Sequence, residues 1–179
     1  MILAARESTT MKISMYEASI PTFLHTLRNL KALLEKGIAH AEARKYEPNL
    51  LAATRLTVDM LPLARQIQIA SDAAKGAAAR LTGVDPPKFE DNEATMADLI
   101  ARVSKTIDYL QGFKPEQFEG SEERTITIPT PRQTFSFPGL IFLRHWALPN
   151  FFFHVTTAYN LLRQNGVEIG KADYLGRVS

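Results

Sequence analysis

The apolar residues Ile20, Phe23, Leu24, Leu27, Leu30 and Leu34 recur at intervals of three and four, the spacing that gathers side chains on one face of an α-helix. A stripe of this length has to be buried against other elements, so it predicts a first helix from Ile13 to about Ala43. The same period returns further on. After the start signal Glu47-Pro48-Asn49, a stripe runs through Leu56, Met60, Leu63, Ile67 and Ala70 toward Leu81, and Gly83 with Pro86 and Pro87 ends it. Pro62 lies inside this second predicted helix and cannot donate to the carbonyl of Val58, so a bend is expected there. A third helix is predicted from about Ala94 to Leu110, facing inward with Met96, Leu99, Ile100, Val103, Ile107 and Leu110. A fourth is either continuous from Leu140 or restarts at Pro149, and runs to Gln164 before Asn165 and Gly166. From Val167 onward an ordered loop or tail is expected.

Between the third and fourth helices, Arg124 to Ile128 and Gln133 to Phe137 alternate in polarity around Pro129 and Pro131. This pattern predicts two short strands, or an arm covering one edge of the helices. The expected fold class is therefore all-α: an antiparallel four-helix bundle with a short β-like arm between the third and fourth helices. Residues 1–10 read as a frayed N-terminal extension and residues 11–179 as one domain.

Composition narrows the function classes. With 179 residues, 45% hydrophobic and 22% charged, the chain suits one globular domain. Its 21 basic and 19 acidic residues nearly cancel and form no stripe, which argues against nucleic acid as a partner. No apolar run approaches the roughly 20 residues a membrane span requires. Cysteine is absent, so disulfides and thiolate chemistry are excluded, any metal ligand must be His, Asp or Glu, and a cytoplasmic protein is expected.

Polar residues on otherwise apolar faces are the candidates for chemistry. Asp59 and Gln66 stand seven apart on the second predicted helix, hence on nearly one face. A carboxylate buried there needs a partner, and His154 of the fourth helix is the natural one. Such a pair supports general acid and base catalysis, or it merely satisfies itself inside the core. His145, nine positions before His154, falls on the opposite face of an unbroken helix, while His25 and His40 read as solvated. Phe135, Phe137, Phe142, Trp146 and Phe151 to Phe153 concentrate in one quarter of the chain, as core or as the wall of an apolar pocket. Tyr159 and Arg163, four apart, either face one opening together or leave Arg163 as a helix-end cap.

Two stretches, RLTVDMLPLARQIQIASDAAKG (55–76) and NFFFHVTTAYNLLRQNGVEIGKADYLG (150–176), together resemble an uncharacterised domain-of-unknown-function branch of the DinB/YfiT-like helical-bundle superfamily. That branch carries an NFxFHxTTAYxxLR signature, and the resemblance covers Met11 to Gly176. In the wider superfamily it implies a divalent metal held by one histidine of the second helix and an HxxxH pair of the fourth, with thiol transferases and hydrolases among its members. Here His154 matches the first histidine of the pair, Ala158 stands in the second position, and the second helix has no histidine. His154 is thus the one candidate metal ligand; no cofactor is expected, and a divalent metal is the exception to watch for.

The leading expectation is a protein that binds a small molecule in a pocket within the bundle. His154 and Asp59 would form a metal-independent acid/base pair for an isomerase, cyclase or lyase, while Gln66, Tyr159, Arg163 and Trp146 would hold the ligand. The alternatives are a metal-dependent hydrolase or thiol transferase with a degenerate site, and a non-enzymatic homodimeric binding module.

Overall fold

The computed structural model describes residues 13–177; the expected N-terminal extension lies outside them. Helix α1 (Met15–Ala43) starts at a capping box in which the Ser14 hydroxyl accepts from the Glu17 amide at 3.1 Å and the Glu17 carboxylate accepts from the Ser14 amide. Both bonds satisfy donors that the first helical turn leaves free. Helix α2 (Leu63–Thr82) ends at Gly83, whose φ of 77° is the left-handed conformation that glycine adopts without penalty. Helix α3 (Met96–Gln111) opens on a second capping box, Thr95 with Asp98.

The arm is a two-stranded antiparallel hairpin, β1 (Thr125–Pro129) and β2 (Thr134–Pro138), in which Ile126 faces Phe137 and Ile128 faces Phe135. It runs directly into α4 (Gly139–Phe142), a π-helical stretch (Leu143–Ala147) and α5 (Leu148–Gln164). This run is one continuous helix whose middle is widened, which decides between the two expectations for the fourth helix. Pro149 has no N–H for the carbonyl of His145, and the π-helical turn absorbs that lost bond without ending the helix.

Two boundaries differ from the sequence reading. The second helix does not begin near Pro48: residues Pro48–Ala53 form a 3₁₀ turn, and the chain is irregular from Thr54 until Pro62, the N-cap of α2. Pro62 disfavours helical backbone at Leu61 and costs nothing at a helix start, where its missing N–H has no acceptor to lose. Local bonds hold the irregular stretch, with the Leu63 amide donating to the Thr54 carbonyl at 3.0 Å, Arg55 to the Met60 carbonyl and Thr57 to the Asp59 carboxylate. The second difference is at the C-terminus, where Lys171–Leu175 forms a short helix, α6, packed on α1. Lys36 pairs with Asp173 at 2.5 Å, and His25, expected in solvent, donates through Nε2 to the Leu175 carbonyl at 2.6 Å. A side chain at Gly176 (φ 67°) would collide with Asn29, so the C-terminal turn closes on α1 at a position only glycine fits.

Helix α1 packs against α3 and α5, and so does α2. The buried side chains of all four join in one hydrophobic cluster that includes Phe23, Leu30, Ile67, Leu99, Phe142 and Phe151. Among the described residues no helix is long and apolar enough to cross a membrane.

Candidate functional site

Helix α2 presents Gln66, Ile69 and Ala73 at intervals of three and four, and α5 answers with His154 and Asn150, one turn apart. The two elements run antiparallel. Gln66, in the first turn of α2, bonds His154, whereas Ile69, Ala73 and Arg80 meet the earlier residues Phe142, Trp146 and Asn150 around a common cavity. The candidate site is this seam.

Gln66 and His154 are both buried. The Gln66 Nε2 donates to the Leu61 carbonyl at 2.9 Å, which turns its Oε1 toward the imidazole, 2.7 Å from Nδ1. An amide oxygen only accepts, so Nδ1 carries the proton and donates it, and the lone pair of the neutral ring sits on Nε2. Nε2 has no hydrogen-bond partner among the described residues. Burial lowers the His154 pKa below its ordinary value, because no charged group offsets the cost of a buried imidazolium. His154 is therefore a neutral ring with a fixed tautomer at neutral pH.

The carboxylate expected in this position is elsewhere. Asp59 stands in the irregular stretch before α2, exposed, and its carboxyl is held below the usual range by the Thr57 hydroxyl. The helical spacing that joined it to Gln66 fails because no helix exists at residue 59. The paired acid is replaced by a neutral amide. Tyr159 is half-buried and packs edge-on against Tyr174 of α6, with ring centroids 5.8 Å apart, and Arg163 is exposed and donates to the Val167 carbonyl at 3.3 Å. The two side chains thus make separate contacts, Tyr159 with α6 and Arg163 with the chain just beyond the end of α5. Trp146 does border the seam cavity, and Phe135 and Phe137 of the hairpin pack on its ring at centroid distances of 5.0 and 5.7 Å.

The histidine set implied for a superfamily metal does not fit these residues. The α2 side chain that meets His154 is an amide whose oxygen already accepts the ring proton, Ala158 is fully buried without a donor, and His145 is exposed. Among the described residues no group of three or more His, Asp or Glu side chains is placed to hold a metal ion.

Sequence reasoning missed two groups. Arg80, half-buried, lines the seam cavity together with Asn150. Arg102 of α3 is buried and bonds Glu93 at 2.8 Å, Asp72 at 3.0 Å, Asp91 at 3.0 Å and the Glu90 carbonyl at 3.1 Å. Burial opposes the Arg102 charge, but Glu93, Asp72 and Asp91 outweigh it and raise the pKa. Both arginines adjoin an inward apolar position, Leu81 and Val103, and this is the one signal that could have marked them.

A family model described as a domain of unknown function, DUF1993, matches residues 15–175. The chain belongs to this family. The DUF1993 chain is also similar to a DinB family member protein from Shewanella denitrificans known from its crystal structure, with 42% identity over 92% of this chain and 93% of that one and a TM-score of 0.85. The DUF1993 chain is thus DinB-like in fold as well as in sequence. No curated protein matches it.

Proposed function

We propose that this DUF1993 protein, an antiparallel four-helix bundle, binds a small organic molecule on the α2–α5 seam, with His154 Nε2 as the group that accepts a hydrogen bond or a proton from it. The observation that carries this reading is the Leu61–Gln66–His154 chain of hydrogen bonds, which fixes the ring as the Nδ1–H tautomer and leaves the Nε2 lone pair without a partner among the described residues. A ring nitrogen whose tautomer is fixed and whose lone pair no protein group takes is open to a donor on a ligand. The amide also sets the kind of chemistry. A carboxylate would stabilise the imidazolium and favour rapid proton transfer, whereas Gln66 cannot, so His154 is better suited to holding a ligand than to driving turnover. Any isomerase or lyase step would be slow and would need His154 unprotonated.

The tautomer is tested by nitrogen-detected NMR of the ring, which should show protonated Nδ1 at neutral pH and a titration midpoint below about 6.5. Gln66→Glu should raise that midpoint above the ordinary value, and an unchanged midpoint would remove the Gln66 contact. Because the folded-state pKa is depressed, the unfolded chain binds more protons below about pH 6.5. Stability should then be full above that value and fall as the pH drops toward the folded pKa, a loss that urea titrations should find missing in His154→Gln. For the ligand reading, His154→Ala should abolish binding of fragments that shift α2–α5 resonances while the fold is kept. Unaltered binding in that variant would sink the site.

A further inference from the structure

Beside the Gln66–His154 pair, the seam holds a cavity of about 180 Å³ between α2, the π-helical stretch and β1. Its apolar wall comes from Trp146, Phe142 and Ile128, and its polar side chains are Arg80, Asn150 and Asp72. Neither the Arg80 guanidinium nor the Asn150 amide has a hydrogen-bond or ion-pair partner among the described residues. Asp72 makes no ion pair with Arg80; its Oδ1 pairs with Lys75 at 2.8 Å and Arg102 at 3.0 Å. Arg80 lies back along its own helix over Gly76, where any side chain would collide with Nη1; the glycine makes room for the guanidinium against the backbone. Burial also lowers the Arg80 pKa, an effect that the nearby Asp72 charge offsets only in part.

We infer that this cavity is a binding site for a small organic carboxylate with a flat apolar body, its carboxylate paired with Arg80 and Asn150 and its body lying against Trp146 and Phe142. A planar guanidinium presents two parallel donors that match the two oxygens of a carboxylate. The aromatic wall supplies dispersion and hydrophobic contact to the rest of the ligand. The cavity accommodates a single ring, and a free inorganic anion would leave the aromatic wall unused. The inference rests on the reading that the seam holds a small molecule and adds its chemical class; it does not require His154 to move a proton.

Trp146 is the only tryptophan of the chain, and it borders this cavity, so its fluorescence is a reporter of binding there. Benzoate, benzamide and inorganic phosphate are the probes, each titrated against the full chain with calorimetry in parallel. Benzoate should bind saturably and change the Trp146 emission, with benzamide and phosphate at least tenfold weaker. Arg80→Gln should remove the preference for benzoate over benzamide while leaving thermal unfolding unchanged, since Arg80 has no partner to lose; Arg80→Lys should restore it only in part. Equal binding of benzoate and benzamide would overturn the carboxylate class while leaving a ligand on the seam. Phosphate as tight as benzoate, unchanged benzoate binding in Arg80→Gln, or no benzoate binding at all would each overturn it as well. The reading of His154 fails separately, through its own tautomer and the His154→Ala fragment experiment.

Discussion

Phe151→Ala is expected to lower the free energy of unfolding by about 3–5 kcal/mol, the range for truncating a buried phenylalanine. Phe151 is fully buried in α5. Its ring meets Phe23 of α1 edge-on at a centroid distance of 4.9 Å and an interplanar angle of 86°, and Phe152 at 5.5 Å. Truncation removes the hydrophobic transfer energy, leaves a cavity that helices anchored on both sides cannot close, and forfeits the favourable edge-to-face geometry. Phe151→Leu should cost less, because it refills much of the volume. Urea unfolding measures both variants. Equal and small losses, below about 1 kcal/mol, would mean that α5 does not pack on α1 through this ring. Since His154 is three residues further along the same helix, Phe151→Ala should also broaden the His154 ring resonances.

Arg102→Met should be the second large effect, about 2–3 kcal/mol. This is at or below the low end for breaking a buried ion pair, because Asp72 and Asp91 remain partly in water. Methionine keeps the length of the side chain, so the loss comes from three carboxylates deprived of their common cation. Burial works against ionised Asp91, but Arg65 and Arg102 outweigh it and hold its carboxyl below the usual range. A depressed carboxyl pKa contributes stability that is present above the unfolded value near 3.9 and is lost as the pH falls through the folded one. The deficit of Arg102→Met should therefore be full at neutral pH and shrink below about pH 4. The damage should also be local. Residues 83–95 are fastened to α2 and α3 by Arg102, by Arg65 to Asp91 at 2.6 Å and by Gln68 to Glu93 at 2.7 Å, while Phe89 lies under Lys75 and Lys105. Hydrogen exchange should accelerate in that segment before the helices open. A uniform increase over the whole chain, or a deficit independent of pH, would show that Arg102 acts through something other than these acids.

The candidate residues on the α2–α5 seam divide into those visible in the sequence and those hidden from it. His154 was visible, because a histidine on an otherwise apolar helix face needs a reason to be there, and Gln66 was visible on the same ground. Their partnership was not. The sequence reading gave the bond to Asp59, a stronger partner for a buried histidine than an amide, and took the periodic stripe from Leu56 to Leu81 as one helix bent at Pro62. A proline at 62 is compatible with a kinked helix and equally with a helix start. Which of the two occurs depends on whether Thr54 finds the amide of Leu63, a contact across eight residues of irregular chain. Arg80 and Asn150 were invisible for a different reason: a polar residue at the edge of an apolar stripe is ordinarily solvated, and only the approach of the hairpin and the π-helical turn encloses these two beside Trp146.

By itself the sequence determined the helical period, the stop at Gly83, the alternating arm and the absence of thiol chemistry, all of which follow from interactions within a few residues along the chain. The family was legible too, through two stretches long enough to carry a signature. The tertiary structure alone decided that Asp59 stands in solvent, that an amide fixes the ring of His154, and that a guanidinium engaged in no ion pair borders an aromatic cavity. Those three outcomes depend on which side chains from distant elements meet, and so on the cost of burying a polar or charged group in one particular place, which no local pattern of residues records.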